Sequence, residues 1–242
     1  MSVFFVSDVH LCTKESDTVS RFLNFLRYCS KKANSLYILG DLFDQWVGDD
    51  EMDALHQEIA IGIRKLSQQY GIPCYFIHGN RDFLLGENYA INCGMTLLPT
   101  QQILTLFGYK VIILHGDILC TADTIYQLFR KYTRKQWVKK AFLSLPLSIR
   151  KSIVNSIRQY SSNHIPYIHK NHSDVNLNLV LQIMQQTGAM IMIHGHTHQP
   201  AIHTMNNLSN QHKRVVLGHW DKYGSIIEFN QYGIHLFPFP LK

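Results

Sequence analysis

A chain of 242 residues, 46% hydrophobic and 17% charged, with no low-complexity tract and no collagen-like or heptad repeat, can bury a large core, which excludes disordered, fibrous and coiled-coil classes. Five scattered cysteines, Cys12, Cys29, Cys74, Cys93 and Cys120, are odd in number and never spaced as CxxC, which argues against a disulfide framework or a thiolate zinc site and suits a reducing cytoplasm. The formal charge of +6 points to an anionic partner, and nucleic acid, lipid phosphate and nucleotide substrates would all be steered by it.

The opening MSVFFVSDVH is apolar but meets Asp8 with no basic region before it, so it predicts a strand over 3–6 rather than a signal peptide, and export is not expected. Val19, Phe22, Leu23 and Leu26 then recur at helical spacing through 19–29. A strand over 36–39 ends at Gly40 and Asp41. A helical stretch over about 52–69 leads through Pro73 to the strand CYFIH and then to Gly79, Asn80 and Arg81. Two weaker strands, ILTLF and KVIILHG, joined by Gly108 and Tyr109, deliver His115, Gly116 and Asp117. After a long helical region the run AMIMIHG reaches His194, and VVLGHW, SIIEFN and GIHLFPF are predicted as closing antiparallel strands. The strands as far as His194 end on polar residues, where open α/β sheets place their sites. A layered α/β core with two sheets is therefore expected.

Residues 124–173 contain no Asp or Glu but ten positive charges: Arg130, Lys131, Arg134, Lys135, Lys139, Lys140, Arg150, Lys151, Arg158 and Lys170. Within this stretch Leu143, Leu145, Leu147, Ile149, Ile153, Val154 and Ile157 stand beside Lys and Arg, which predicts an amphipathic helical hairpin interrupted at Pro146. Such a hairpin either presents a lipid- or substrate-facing surface or packs on the core. No apolar run approaches the roughly 18 residues of a membrane span.

Five strand-end motifs carry the chemistry: SDVH (Asp8, His10), GDLFD (Asp41), HGNRD (Asn80), LHGD (His115) and HGHTH (His194, His196, His198). A single such Asp is more often a helix cap, and a single His a satisfied polar side chain. Five in one chain are not explained by caps. Mixed carboxylate, amide and imidazole donors suit divalent first-row ions such as manganese or iron. A carboxylate can bridge two ions, and a pair roughly 3.5 to 4 Å apart can clamp phosphate oxygens during in-line displacement. The chemistry expected is phosphoester or phosphoanhydride hydrolysis.

In the order DxH, GDxxD, GN followed by Arg, a later strand-end His, and GHxH, the chain resembles the calcineurin-like metallophosphoesterases. The resemblance implies a four-layer β-sandwich flanked by helices, a single domain over 1–242 with a helical cap inserted at 121–172. It implies a first ion on Asp8, His10 and His198, a second on Asn80, His115 and His196, Asp41 as the bridge, and His194 as a neighbour rather than a ligand. Within that superfamily, SDVHLC, LYILGDLFDQWVGDD, PCYFIHGNRDFLLG, GMTLLP, HGDILCTAD, HGHTHQPA and RVVLGHW resemble the manganese-dependent UDP-2,3-diacylglucosamine hydrolases of lipid A biosynthesis.

This closer resemblance implies two Mn2+ ions and hydrolysis of the substrate diphosphate, with Asp41, Asn80, Arg81, His115 and His196 as catalytic residues. It further implies substrate contacts from Asn80, Arg81, Asp123, Tyr126, Arg158, Ser161 and His196. The expected location is peripheral, on the cytoplasmic side of the inner membrane, with no nucleic acid and no obligate protein partner. Arg81 stands where many relatives carry a histidine that helps in catalysis. A guanidinium cannot act as a general acid near neutral pH, but its donor fork can hold a phosphate, and a phosphate leaving group needs protonation less than an alkoxide does. The plainer alternative is a surface Arg81 paired with Asp82. Relatives often carry Asn and Lys just after the Ser, where this chain has Ile165 and Ile168, leaving His164, His169 or Lys170 as substitutes. A nuclease or nucleotide phosphatase would use the same ions but leaves the apolar helices unexplained. A metal-stabilised nucleic-acid- or membrane-binding module leaves Asn80 and the ordered ligand set unexplained.

Overall fold

The computed structural model describes residues 1–164, 175–205 and 212–240, apart from the side chains of 160–164. The first half alternates strand and helix: β1 (Ser2–Val6), α1 (Ser16–Lys32), β2 (Ala33–Ile38), α2 (Ala54–Arg64), β3 (Cys74–Phe76), α3 (Glu87–Cys93) and β4 (Met95–Leu97). A hairpin follows, β5 (Gln101–Leu106) and β6 (Tyr109–Leu114), turning through Phe107 and Gly108, both at positive φ as a tight two-residue turn requires. Helices α4 (Thr124–Thr133), α5 (Gln136–Leu143), α6 (Leu147–His164) and α7 (Leu177–Thr187) precede β7 (Ile191–His194), β8 (Ala201–Thr204), β9 (Lys213–Val216), β10 (Gly224–Asn230) and β11 (Gly233–Phe239).

Two sheets result, ordered β11-β10-β1-β2-β3-β4 and β5-β6-β7-β9-β8. Alternation along each strand determines the layers, because successive side chains point to opposite faces. Phe4 and Val6 of β1 and Leu36 and Ile38 of β2 meet α1 and α2, whereas Val3, Phe5 and Tyr37 meet the other sheet. From that sheet, Val111 and Ile113 of β6 and Ile191 and Ile193 of β7 fill the same interlayer, while Ile112, Leu114 and Met192 turn outward to α7. The order helix, sheet, sheet, helix is the four-layer α/β sandwich expected. α7 is bounded by its own sequence: Asn176 accepts from Asn178 and Leu179 N–H at its start, and Gly188 at φ 65° ends it.

One expectation about the closing strands is corrected. β10 and β11 form an antiparallel hairpin, but the RVV strand β9 lies in the other sheet, parallel to β7 and antiparallel to β8. Turn residues mark where a strand stops and carry no information on which sheet the next one joins. β8 was not foreseen: AIHT is mostly exposed and lacks alternation.

The basic helical segment breaks as predicted, with α5 ending at Leu143 and α6 beginning directly after Pro146, a residue suited to a helix start. No residue of α4 or α5 is buried. α6 is fastened by Arg150, which is 2% exposed, donates to Val47 O and Leu145 O, and pairs with Asp50. Its outward residues Ile149, Ile153 and Ile157 remain exposed. Among the described residues no helix is long and apolar enough to cross a membrane.

Candidate metal centre

The parallel strands β1, β2 and β3 end side by side, and their trailing loops bring Asp8 and His10, Asp41, and Asn80 and Arg81 to one crevice, which β6 and β7 meet with His115, His196 and His198. Asp8 N donates to Gly40 O at 3.1 Å, His10 N to Asp41 O at 3.0 Å, and Gly195 N to His115 O at 2.7 Å, so the loops are cross-tied. Asp8, His10, Asp41, His196 and His198 all have left-handed backbone, at φ 53°, 53°, 52°, 68° and 56°. Non-glycine residues there cost about 1 to 3 kcal/mol each and persist only where the surroundings hold them. Glycine is needed for the close approaches: a Cβ on Gly79 would overlap the Asp41 carboxylate, and one on Gly195 would overlap Ser7 and Asp8.

The side chains form two adjoining groups. In the first, His198 Nε2 lies 3.3 Å from Asp8 Oδ1 and 3.4 Å from His10 Nε2. In the second, Asn80 Oδ1 lies 3.0 Å from His115 Nε2 and 2.9 Å from His196 Nδ1. Asp41 faces both, with Oδ2 4.0 Å from His10 Nε2 and Oδ1 3.8 Å from His115 Nε2. Ligand atoms of Asp8, His10 and His198, and those of Asp8, Asp41 and His115, each lie within 4.8 Å of one another, so Asp8 also adjoins the second group.

The hydrogen bonds within the crevice leave acceptors unmatched. Asp8 Oδ2 accepts from Ser7 Oγ at 2.5 Å and His196 N at 2.9 Å, yet its buried Oδ1 has no hydrogen-bond partner, nor has His10 Nδ1. The bond from His115 Nδ1 to Leu39 O, 2.8 Å long, puts the proton on Nδ1 and turns Nε2 toward Asn80 and Asp41. Oxygens and ring nitrogens converging with too few donors among them are what a divalent ion needs. These residues fit a binuclear Mn2+ site.

Burial opposes the charge of Asp8, but the close approach of His198 and the fields of His115, His198 and His10 hold its pKa well below the carboxylate range. Burial and the neighbouring Asp8 charge raise Asp41. Burial lowers His10 to about 4, and burial with the nearby His115 lowers His196 to about 3, leaving both rings neutral and able to ligate. Burial also disfavours protonated His115, but Asp41, Asp8 and Asp117 outweigh it and raise its pKa to about 9. A cation entering there displaces a proton.

Several supporting residues carried no role in the sequence reading. Asp82 does not pair with Arg81; its buried carboxylate accepts from the N–H groups of Asp41, Leu42 and Gly79, at 3.2, 2.7 and 2.9 Å, tying two ligand loops together. Arg81 instead lies 3.6 Å from Asp44, which also pairs with Arg158 of α6 at 2.7 Å. Asp44 is the second acid of GDLFD, so its motif position was the available signal. Asp123 caps α4, accepting from Tyr126 N at 2.9 Å, and the Tyr126 hydroxyl donates to Asp117 at 2.6 Å. His194 is buried beside Arg214, with its Nδ1 at Gly195 O, apart from the two groups. His219 stacks on His198 with ring centroids 5.0 Å apart. The side chains of Ser161 and His164, and Ile165, Ile168, His169 and Lys170, lie outside the described residues.

The calcineurin-like phosphoesterase family matches residues 1–200. A UDP-2,3-diacylglucosamine hydrolase from Blochmanniella pennsylvanica is 53% identical over 233 residues, covering 96% of this chain and 93% of that protein. Its counterpart from Sodalis glossinidius is 48% identical over 239 residues, covering 99% and 98%. Among solved structures, an archaeal phosphodiesterase aligns with a TM-score of 0.51 at 10% identity over 98% of this chain and 99% of that one. A zinc-complexed Vps29 from Entamoeba histolytica aligns at 0.50 and 12% identity over 99% and 93%. At these identities the structural likeness concerns the fold alone.

Proposed function

Because the chain belongs to the calcineurin-like phosphoesterases and, within them, to the UDP-2,3-diacylglucosamine hydrolase family, we propose that it hydrolyses UDP-2,3-diacylglucosamine at the diphosphate, giving UMP and 2,3-diacylglucosamine 1-phosphate (lipid X) in lipid A biosynthesis. The chain is a metal-dependent hydrolase. The observation that carries the reading is the pair of adjoining ligand groups, with Asp8 at their junction and Asp41 facing both, in a crevice flanked by basic, apolar-faced helices. Asp8, His10 and His198 would hold one Mn2+, Asn80, His115 and His196 the other, and Asp41 both. Two ions so held polarise phosphate oxygens and lower the pKa of water. Arg81, partly exposed beside Asp44, holds a substrate phosphate through its donor fork and offsets charge developing on it. Leaving as a phosphate, the product needs no protonating residue at position 81.

We read 121–172 as a cap on a single catalytic domain, receiving the acyl chains and the sugar, with Asp123, Tyr126, Arg158 and Ser161 among its contacts. The protein sits at the cytoplasmic face of the inner membrane in this reading, which needs neither nucleic acid nor an obligate protein partner. Support comes from Ile125, Leu128 and Trp137, 67%, 57% and 68% exposed, next to Lys131, Lys135 and Lys140. A nuclease would leave these apolar side chains without purpose. The test is product identification with the diacyl sugar nucleotide and manganese in oxygen-18 water. UMP carrying the label is expected. Label in the lipid phosphate reverses the placement of the two phosphates, and no turnover, with single-stranded nucleic acid cleaved instead, overturns the assignment.

A further inference from the structure

Asp117, itself neither a ligand nor a substrate contact in the reading above, gathers a network around one carboxylate. It stands two residues after His115, in the turn that ends β6, and is 2% exposed. Tyr126, Arg130 and Arg134 recur every fourth residue along one face of α4 and its C-terminal cap position, and all three reach the same carboxylate oxygen. The Tyr126 hydroxyl donates at 2.6 Å, Arg130 Nε donates at 2.7 Å, and Arg134 Nη2 lies 3.7 Å away. Gln127 adds a bond to the Asp117 carbonyl at 2.8 Å. The same helix reaches the neighbour of Asn80 and the ring of His196, the surroundings of the other two members of that ligand group. Arg134 Nη2 donates to Gly79 O, the residue before Asn80, at 2.7 Å, and the Tyr126 ring lies over His196 at 6.2 Å and 29°. These ties reach the immediate surroundings of Asn80, His115 and His196.

We propose that Asp117 is a positioning residue for the second ion site: it fixes Tyr126, Arg130 and Arg134 so that α4 holds Asn80 and His196 in register with His115. The site then cannot relax without shifting the cap helix, nor the helix without loosening the site. Charge-assisted bonds to a buried carboxylate are strong and directional, and loss of one partner leaves the rest uncompensated. The inference rests on the two-ion reading above.

Simple attraction between Asp117 and the ions makes an opposite prediction for one variant. Arg134→Gln removes a positive charge near two cations, so electrostatics alone would tighten manganese binding, whereas loss of the Gly79 tie would weaken it. Manganese titration calorimetry on the metal-stripped full chain is expected to show first-ion affinity within about twofold of wild type and second-ion affinity about tenfold weaker in Arg134→Gln and in Asp117→Asn. Arg134→Lys should recover part of the loss, and the Asp117→Asn/Arg134→Gln pair should be no worse than the weaker single variant. Unchanged or tighter second-ion binding in Arg134→Gln, or additive losses in the pair, overturns the proposal. Should Asp117→Asn fail to fold, Arg134→Gln, on a part-exposed residue, carries the test. Wild-type protein that takes up only one ion sinks the two-ion reading and this inference with it, while two ions in the wild type with no effect of Arg134→Gln sink this inference alone.

Discussion

Asp41 presents one carboxylate oxygen to each ligand group, so its loss reaches both, while Asp8 turns its partnerless Oδ1 to His198 of the first group at 3.3 Å, ties its Oδ2 to Ser7 and the His196 N–H, and only adjoins the second group. Asp41→Ala is expected to abolish two-ion binding and lower kcat by at least about a hundredfold, since outer partners of a metal ligand alone are worth about 10- to 100-fold. Asp8→Ala should weaken the first ion more than the second and regain part of its activity in excess manganese; metal analysis of the dialysed variants, with turnover, checks both. His115 gives a pH test. Its pKa in the folded, ion-free chain, about 9, lies above the ordinary value of 6.5, so its proton stabilises the fold fully below about pH 6.5 and that contribution is lost as pH rises through about 9. Ion-free protein should melt at progressively lower temperature across that window. The manganese-loaded protein should lack this slope, and manganese uptake at pH 7 should release a proton, read by calorimetry in buffers of different ionisation enthalpy.

The helices α4 to α6 carry two separable kinds of surface. Lys139 reads from sequence as one more membrane-facing charge, yet its Nζ donates to Phe83 O at 2.8 Å, and its partial burial, with the nearby Arg134, lowers its pKa to about 8, so it fastens α5 to the core. Lys131 and Lys140 are exposed and better placed to meet anionic headgroups. Lys131→Gln/Lys140→Gln should weaken binding to phosphatidylglycerol vesicles by about thirtyfold at low salt and little at high salt, at roughly 1 kcal/mol per charge near the surface. Replacing Ile149, Ile153 and Ile157 with Ser should raise KM for the diacyl substrate several-fold and leave hydrolysis of a small soluble phosphodiester nearly unchanged. Equal loss with both substrates would place these helices within the chemical machinery. Exposed apolar residues next to lysines were legible because the 3.6-residue period survives in the letters. The inward role of Lys139 was not, since it depends on a carbonyl 56 residues away in the chain.

For the molecule as a whole, the layers and the site were legible for one reason: each of five motifs ends a strand buried on both faces, and strands of that kind read as apolar runs. What escaped the sequence was long-range pairing. β9 joins β7 through a register that no local residue encodes, and Asp82 and Asp117 look like ordinary strand-end acids until the backbone N–H groups and arginines they bind are brought to them. Saturating manganese at about 100 times its Kd should raise stability by about 2.7 kcal/mol per site. In a chain of this length that is a Tm rise of roughly 5 to 10 °C per site, measurable by calorimetry with and without chelator. The left-handed backbone at Asp8, His10, Asp41, His196 and His198 has a consequence for engineering. At about 1 kcal/mol or more apiece, these five conformations hold back an amount comparable to the 5 to 15 kcal/mol that keeps a domain folded. A selection for heat resistance alone should therefore favour glycine at solvent-reachable His198, and each gain of that kind would produce a sturdier protein that no longer turns over its substrate.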